Sequence, residues 1–176
     1  MECCKQGRIV RRIASVALAI LFALLAVTQV AAAATLEGRV VGVIDGDTLI
    51  VLDAGKIKQT VRLAAIDAPE KSQPFGRRAK QNLSQLVFGK PVSVVFTHND
   101  RWRRIVGHVF VDGMDVNLRQ VRDGCAWYNA RYRYEQNLTD RAAYKTAESE
   151  ARNARRGLWA DRNPAPPWKW RRVKRR

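Results

Sequence analysis

Arg39-Val40-Val41-Gly42-Val43-Ile44-Asp45-Gly46-Asp47-Thr48-Leu49-Ile50-Val51-Leu52-Asp53-Ala54-Gly55 and, four residues on, Thr60-Val61-Arg62-Leu63 decide the fold. Short β-branched runs alternate here with turn signals. The pattern predicts three consecutive antiparallel strands, Arg39 to Ile44, Thr48 to Leu52 and Gln59 to Leu63, joined at Asp45-Gly46 and Ala54-Gly55. Period-two alternation places Val61 and Leu63 on one face and Arg62 on the other.

Downstream the period changes. Phe75, Ala79, Leu83 and Leu86 fall on one helical stripe over Pro74 to Val87, with Pro74 in the first turn and Gly89 beyond the end. Val92 to Thr97 and Ile105 to Val111 read as two more strands, followed by the turn Asp112-Gly113. Val116 to Arg122 predicts a short helix stopped by Gly124. Leu138 to Arg155 predicts a longer one with a stripe of Ala143, Ala147, Ala151 and Ala154 before Gly157. This is an α+β order, and a small closed barrel with a helix between strands three and four is the five-stranded OB-fold β-barrel, here with three helices.

The chain has 176 residues and a formal charge of +16, a balance that favours a polyanionic partner. Residues 1–34 hold only four of its 32 cations, so the excess belongs to the rest. That first segment is a basic stretch, an apolar run from Ile13 to Val27 and the tract Ala31 to Ala34, the order of a signal peptide. An N-terminal membrane anchor is the alternative, since Ile13 to Ala34 is about long enough to span a bilayer. The domain is expected at 35–160. Residues 161–176 form a Pro/Trp/Arg-rich basic tail, expected to be extended because it cannot build a core of its own.

Cys3 and Cys4 lie in the leader, so a processed chain holds only Cys125 and no internal disulfide, and Cys125 reads as core packing. His98 and His108 lack neighbours at ligand spacing and make no zinc site.

Three short clusters carry chemistry-bearing side chains. Asp45-Gly46-Asp47-Thr48 is by itself a hairpin turn or a pair of metal-ligating carboxylates. Arg62-Leu63-Ala64-Ala65-Ile66-Asp67-Ala68-Pro69-Glu70 is a solvated loop with an ion pair, or a group of two acids and an arginine drawn together by the constraint Pro69 places on Ala68. Asp100-Arg101-Trp102-Arg103-Arg104 is a charged hairpin tip or a phosphate grip. Trp127, Tyr128, Tyr132 and Tyr134 are interleaved with Arg131 and Arg133, a pattern suited to base stacking; Trp127 fits packing better, and Tyr132 is the candidate for base contact.

In this order and spacing the clusters resemble the staphylococcal nuclease family, from about Thr35 to Trp159. The resemblance implies that Asp47 and Asp67 give carboxylate oxygens to Ca²⁺, with the Ala68 carbonyl as a further ligand and Asp45 close by. It implies that Glu70 orients or deprotonates the attacking water and that Arg62 and Arg104 grip the scissile phosphate. Arg103 stands where the family usually has glycine and is a candidate nucleic-acid contact with Tyr132. The segment after Glu70 is short, with three residues before Pro74.

The implied activity is a Ca²⁺-dependent endonuclease of low sequence specificity acting on DNA and RNA, single strands preferred. It is expected to be exported as a monomer with no protein partner, and to meet a membrane only if the leader is retained. The rival reading is a non-catalytic OB-fold nucleic-acid-binding module. Degenerate barrels generally lose these acids and arginines, whereas Asp47, Arg62, Asp67, Glu70 and Arg104 are all present.

Overall fold

The computed structural model describes residues 33–173. Almost all of the expected leader therefore lies outside the described residues. Among those described, no helix is long and apolar enough to cross a membrane.

The strands are β1 (Ala34–Val43), β2 (Thr48–Asp53), β3 (Lys58–Leu63), β4 (Ile66–Asp67), β5 (Pro91–Asn99), β6 (Ile105–Val111), β7 (Met114–Asp115) and β8 (Trp127–Tyr128). The helices are α1 (Gly76–Val87), α2 (Val116–Arg122), α3 (Leu138–Asn153) and α4 (Pro167–Val173). β1 starts five residues earlier than its apolar run because its two halves serve different neighbours. Ala34 to Arg39 pair with β5, and Gly38 to Val43 pair with β2 across a register shift between Val40 and Gly42. The shift bends the strand around the barrel.

β2 and β3 form the expected hairpin, and β5 and β6 the second. The five long strands then close on themselves through a parallel pairing of β3 with β6, in which Val61, Arg62 and Leu63 stand opposite Ile105, Val106 and Gly107. This seam joins the end of the strand that carries Arg62 to the beginning of the strand that follows Arg104.

Leu49, Val51, Val61, Leu63, Val94 and Val109 fill the barrel, with Leu83 and Val87 of α1 and Tyr144 of α3 against them. Pro74 does not begin α1. Phe75 adopts a left-handed φ of 73° at the cap, and the helix starts at Gly76. Cys125 is buried and unbridged as expected, and burial pushes its thiol up to about 12.

The tail differs from the expectation. Residues 167–173 are helical, making a fourth helix, and Pro167 is suited to a first turn because its missing N–H would be unpaired there anyway. It borrows a core instead of building one. Trp127, Ala151, Leu158 and Trp159 form a second apolar cluster, and Trp168 packs against it with its ring 5.7 Å from that of Trp127.

Candidate active site

The Asp45–Asp47 turn is fixed before it does anything. Gln120, fully buried on α2, donates to the Gly46 carbonyl at 2.6 Å and to the Ala79 carbonyl at 3.2 Å, tying turn, α1 and α2 together. The Asp47 backbone nitrogen donates to Asp45 Oδ1 at 3.1 Å, which closes the turn. The Asp47 side chain is thereby turned inward, where Oδ1 accepts from Thr48 Oγ1 and Oδ2 from the Ala68 amide, each at 2.9 Å. Burial, then the nearby Asp47 charge, raises Asp45 to about 7.

β4 contributes Asp67, only 1 % exposed. Burial raises its pKa, against the pull of the Arg171 guanidinium. Glu70 follows on a short loop held at both ends. Its amide donates to Gln73 Oε1 at 3.1 Å, and a β-carbon at Gly76 would collide with its carbonyl oxygen, so only glycine lets α1 start so close behind it.

The arginines come from the seam. Arg62 donates to the Ile66 carbonyl at 3.0 Å and lies 5.2 Å from the centre of the Tyr132 ring. Arg104 is braced by Asp100, with Nε at 2.8 Å and Nη2 at 2.7 Å from Oδ2. Desolvation opposes ionisation of Asp100, but the bonds from Arg104 outweigh it and hold that carboxyl below its ordinary range. Nη1 of Arg104 has no partner among the described residues.

Asp45, Asp47, Arg62, Asp67, Ala68, Glu70, Arg104 and Tyr132 all line one cleft of about 490 Å³. Of the expected nucleic-acid contacts Tyr132 is in it and Arg103 is not; Arg101 and Trp102 line the wall instead. Arg103 has φ 63°, the left-handed region, which explains physically why a glycine is usual at this position. Trp102 is 61 % exposed and stacks on Arg101 and Arg104, at 4.0 and 5.1 Å.

Sequence reasoning missed Arg171. From α4 its Nη1 donates to Asp67 Oδ1 at 3.1 Å and to Glu70 Oε1 at 2.6 Å, while Nη2 meets Asp67 Oδ2 at 2.6 Å. Gln73 was missed too; its Nε2 donates to the Ala165 carbonyl at 2.5 Å and links the Glu70 loop to the tail. The available signal was the ending Pro-Pro-Trp-Lys-Trp-Arg, where a first-turn proline precedes Trp168 and Arg171 at a spacing of three.

Two buried carboxylates, a third acid above them and guanidinium groups around one cavity can hold a hard cation against a phosphate. Among the described residues no group of three or more His, Cys, Asp or Glu side chains is arranged to hold a metal. Two protein carboxylates would therefore need carbonyl and water ligands beside them.

A model of the family described as staphylococcal nuclease homologue matches residues 60–161. An "uncharacterized endonuclease" of Escherichia coli is 47% identical over 139 residues, 78% of this chain and 86% of the relative. A similarly described Haemophilus influenzae protein is 42% identical over 76% of this chain and 72% of its own length. A "micrococcal nuclease" of Shigella flexneri is 40% identical over 164 residues, covering 88% of this chain and 91% of the relative.

Proposed function

Because the chain belongs to the staphylococcal nuclease family, we propose that it hydrolyses phosphodiester bonds as an exported, Ca²⁺-dependent endonuclease of low sequence specificity. DNA and RNA are its substrates, single strands preferred. The observation that carries this reading is the meeting of Asp47, Asp67, Glu70, Arg62 and Arg104 in one cleft from three separate stretches of chain.

The donor set suits Ca²⁺, a hard cation that takes carboxylate, carbonyl and water oxygens. Asp67 is ion-paired to a guanidinium already, which marks its place as one that accepts positive charge. Asp47, Asp67 and the Ala68 carbonyl would hold the ion, and when bound it supplies Lewis-acid stabilisation of the phosphoryl oxygens.

The chain's own residues do the rest. Glu70 orients the water whose oxygen bonds to phosphorus or takes its proton, and the leaving oxygen departs with the bond pair and takes a proton from solvent water. Arg62 and Arg104 donate to the non-bridging oxygens, whose charge grows as phosphorus becomes five-coordinate. By family resemblance the bond broken is the 5′ P–O bond, leaving a 3′-phosphate. A concave site this small admits an unpaired strand more readily than a duplex.

Digestion of single-stranded DNA with Ca²⁺ and with EDTA tests the reading. The parent should cut only with Ca²⁺, and Glu70→Ala and Arg104→Lys should each lose about 10²- to 10³-fold in rate. Cutting in EDTA would remove the metal assignment, and full activity in both variants would remove the site.

A further inference from the structure

A second groove, of about 300 Å³, opens beside the cleft and shares Asp45 with it. Its other walls include Lys71, on the loop after Glu70, and Arg77 and Lys80 of α1. Lys71 and Arg77 are exposed and Lys80 is half-buried. None of the three side chains has an ion pair or hydrogen bond among the described residues, and Asp45 is the one acid in the lining. Three unneutralised cations around a concavity that shares a wall with the cleft at Asp45 have a chemical preference for closely spaced phosphates. Resting on the nuclease reading above, we propose that this groove binds the sugar-phosphate backbone of the substrate strand on one side of the scissile bond.

Binding in EDTA separates this from catalysis. Fluorescence anisotropy with a single strand of about 20 nucleotides, longer than the ~4 to 16 an OB-fold covers, would be followed over a salt series. Each lost phosphate contact lowers the slope of log affinity against log salt by about 0.7. Arg77→Gln with Lys80→Gln should therefore lower it by about 1.4, and Arg77→Gln alone, at an exposed position, by about 0.7. Lys56→Gln with Lys58→Gln removes equal charge outside both hollows and should leave the slope unchanged. Equal slopes in the two double variants would overturn the groove alone, whereas no binding by the parent would strike the nuclease reading itself.

An independent observation concerns α4. Arg171 lies on both Asp67 and Glu70, the carboxylates that a cation and a water would need. The helix is anchored at its other end by Trp168 on the tryptophan cluster and by the Gln73 bond to Ala165. We infer that α4 is a latch, and that its docking and Ca²⁺ binding exclude one another. By reciprocity, the factor by which Arg171 weakens Ca²⁺ equals the factor by which Ca²⁺ weakens the docked helix.

Calorimetric Ca²⁺ titration of the full chain should show Arg171→Gln binding severalfold more tightly than the parent. Trp168→Ala, which loosens the far anchor, should move affinity in the same direction. In the parent, saturating Ca²⁺ should speed amide exchange across 167–173. Equal or weaker Ca²⁺ binding in Arg171→Gln, or undiminished protection of 167–173, would overturn the latch. Failure of both proteins to bind Ca²⁺ would overturn the metal assignment with it.

Discussion

Replacing Asn117 by alanine should unzip the barrel at its seam. The pairing of β6 with β3 ends at Gly107 and the pairing with β7 begins at Phe110, which leaves a gap on that edge of β6 at the buried Val109. Asn117, fully buried at the start of α2, fills that gap. Its Oδ1 accepts from the Val109 amide at 3.1 Å, and its Nδ2 donates to the carbonyls of Ala64 and Gly107, each at 3.1 Å. Truncation orphans the Val109 N–H, at about 1–3 kcal/mol, and removes the bond to Ala64, at about 1 kcal/mol. The Gly107 carbonyl keeps the Ala64 amide at 2.8 Å, so its loss is small. The sum is roughly 2–4 kcal/mol, or about 4–16 °C in Tm at ~2–4 °C per kcal/mol for a chain of this size. Urea unfolding followed by circular dichroism measures it directly. Asn117→Asp, which can accept from Val109 but repels both carbonyls, should be no better than alanine at neutral pH. A loss below about 0.5 kcal/mol in Asn117→Ala, the range of an ordinary surface change, would refute the role given to this carboxamide.

Arg62→Lys should keep the fold and lower kcat by about 10²- to 10³-fold, because a lysine cannot place two parallel donors on a phosphate; a kcat near the parent's would remove Arg62 from the site. Gly76→Ala should displace Glu70 and lower kcat by about 10²-fold while costing ~1–3 kcal/mol of stability, which steady-state kinetics and urea titration separate. Cys125 should resist iodoacetamide at pH 8 and be modified, by mass spectrometry of its peptide, only as the chain unfolds. Its thiol ionises near 9 when unfolded and near 12 when folded, so the folded state holds the extra proton between these values and stability should decline across that alkaline window.

The five long strands and three of the four helices were legible because each is announced locally, by alternation, by a helical stripe or by a turn residue. Boundaries failed where a second partner intervened. The early start of β1 depends on β5, roughly sixty residues away, and the late start of α1 on the left-handed cap at Phe75 and the close approach of Gly76 to the Glu70 carbonyl. The acids and arginines that meet in the cleft could be named from ordered motifs, but the same motifs name Arg103 as a nucleic-acid contact, and it is Arg101 that lines the wall. That choice turns on the left-handed backbone at Arg103. The tail was misread because composition says whether a segment can make a core and is silent on whether it can join another's. Arg171 reaches Asp67 because Trp168 settles on that cluster, and the spacing of the two residues marks a helical face without naming what it docks against.

The parallel seam also has a kinetic meaning. Hairpins form from neighbours, but Val61 and Ile105 meet only after α1 and β5 have been laid between them, and such distant pairings are slow to close. The hollow straddles that joint, with Arg62 on one bank and Arg104 on the other. A half-folded chain thus has most of its secondary structure and none of its working cavity, so during refolding chemical competence should be the last property to return.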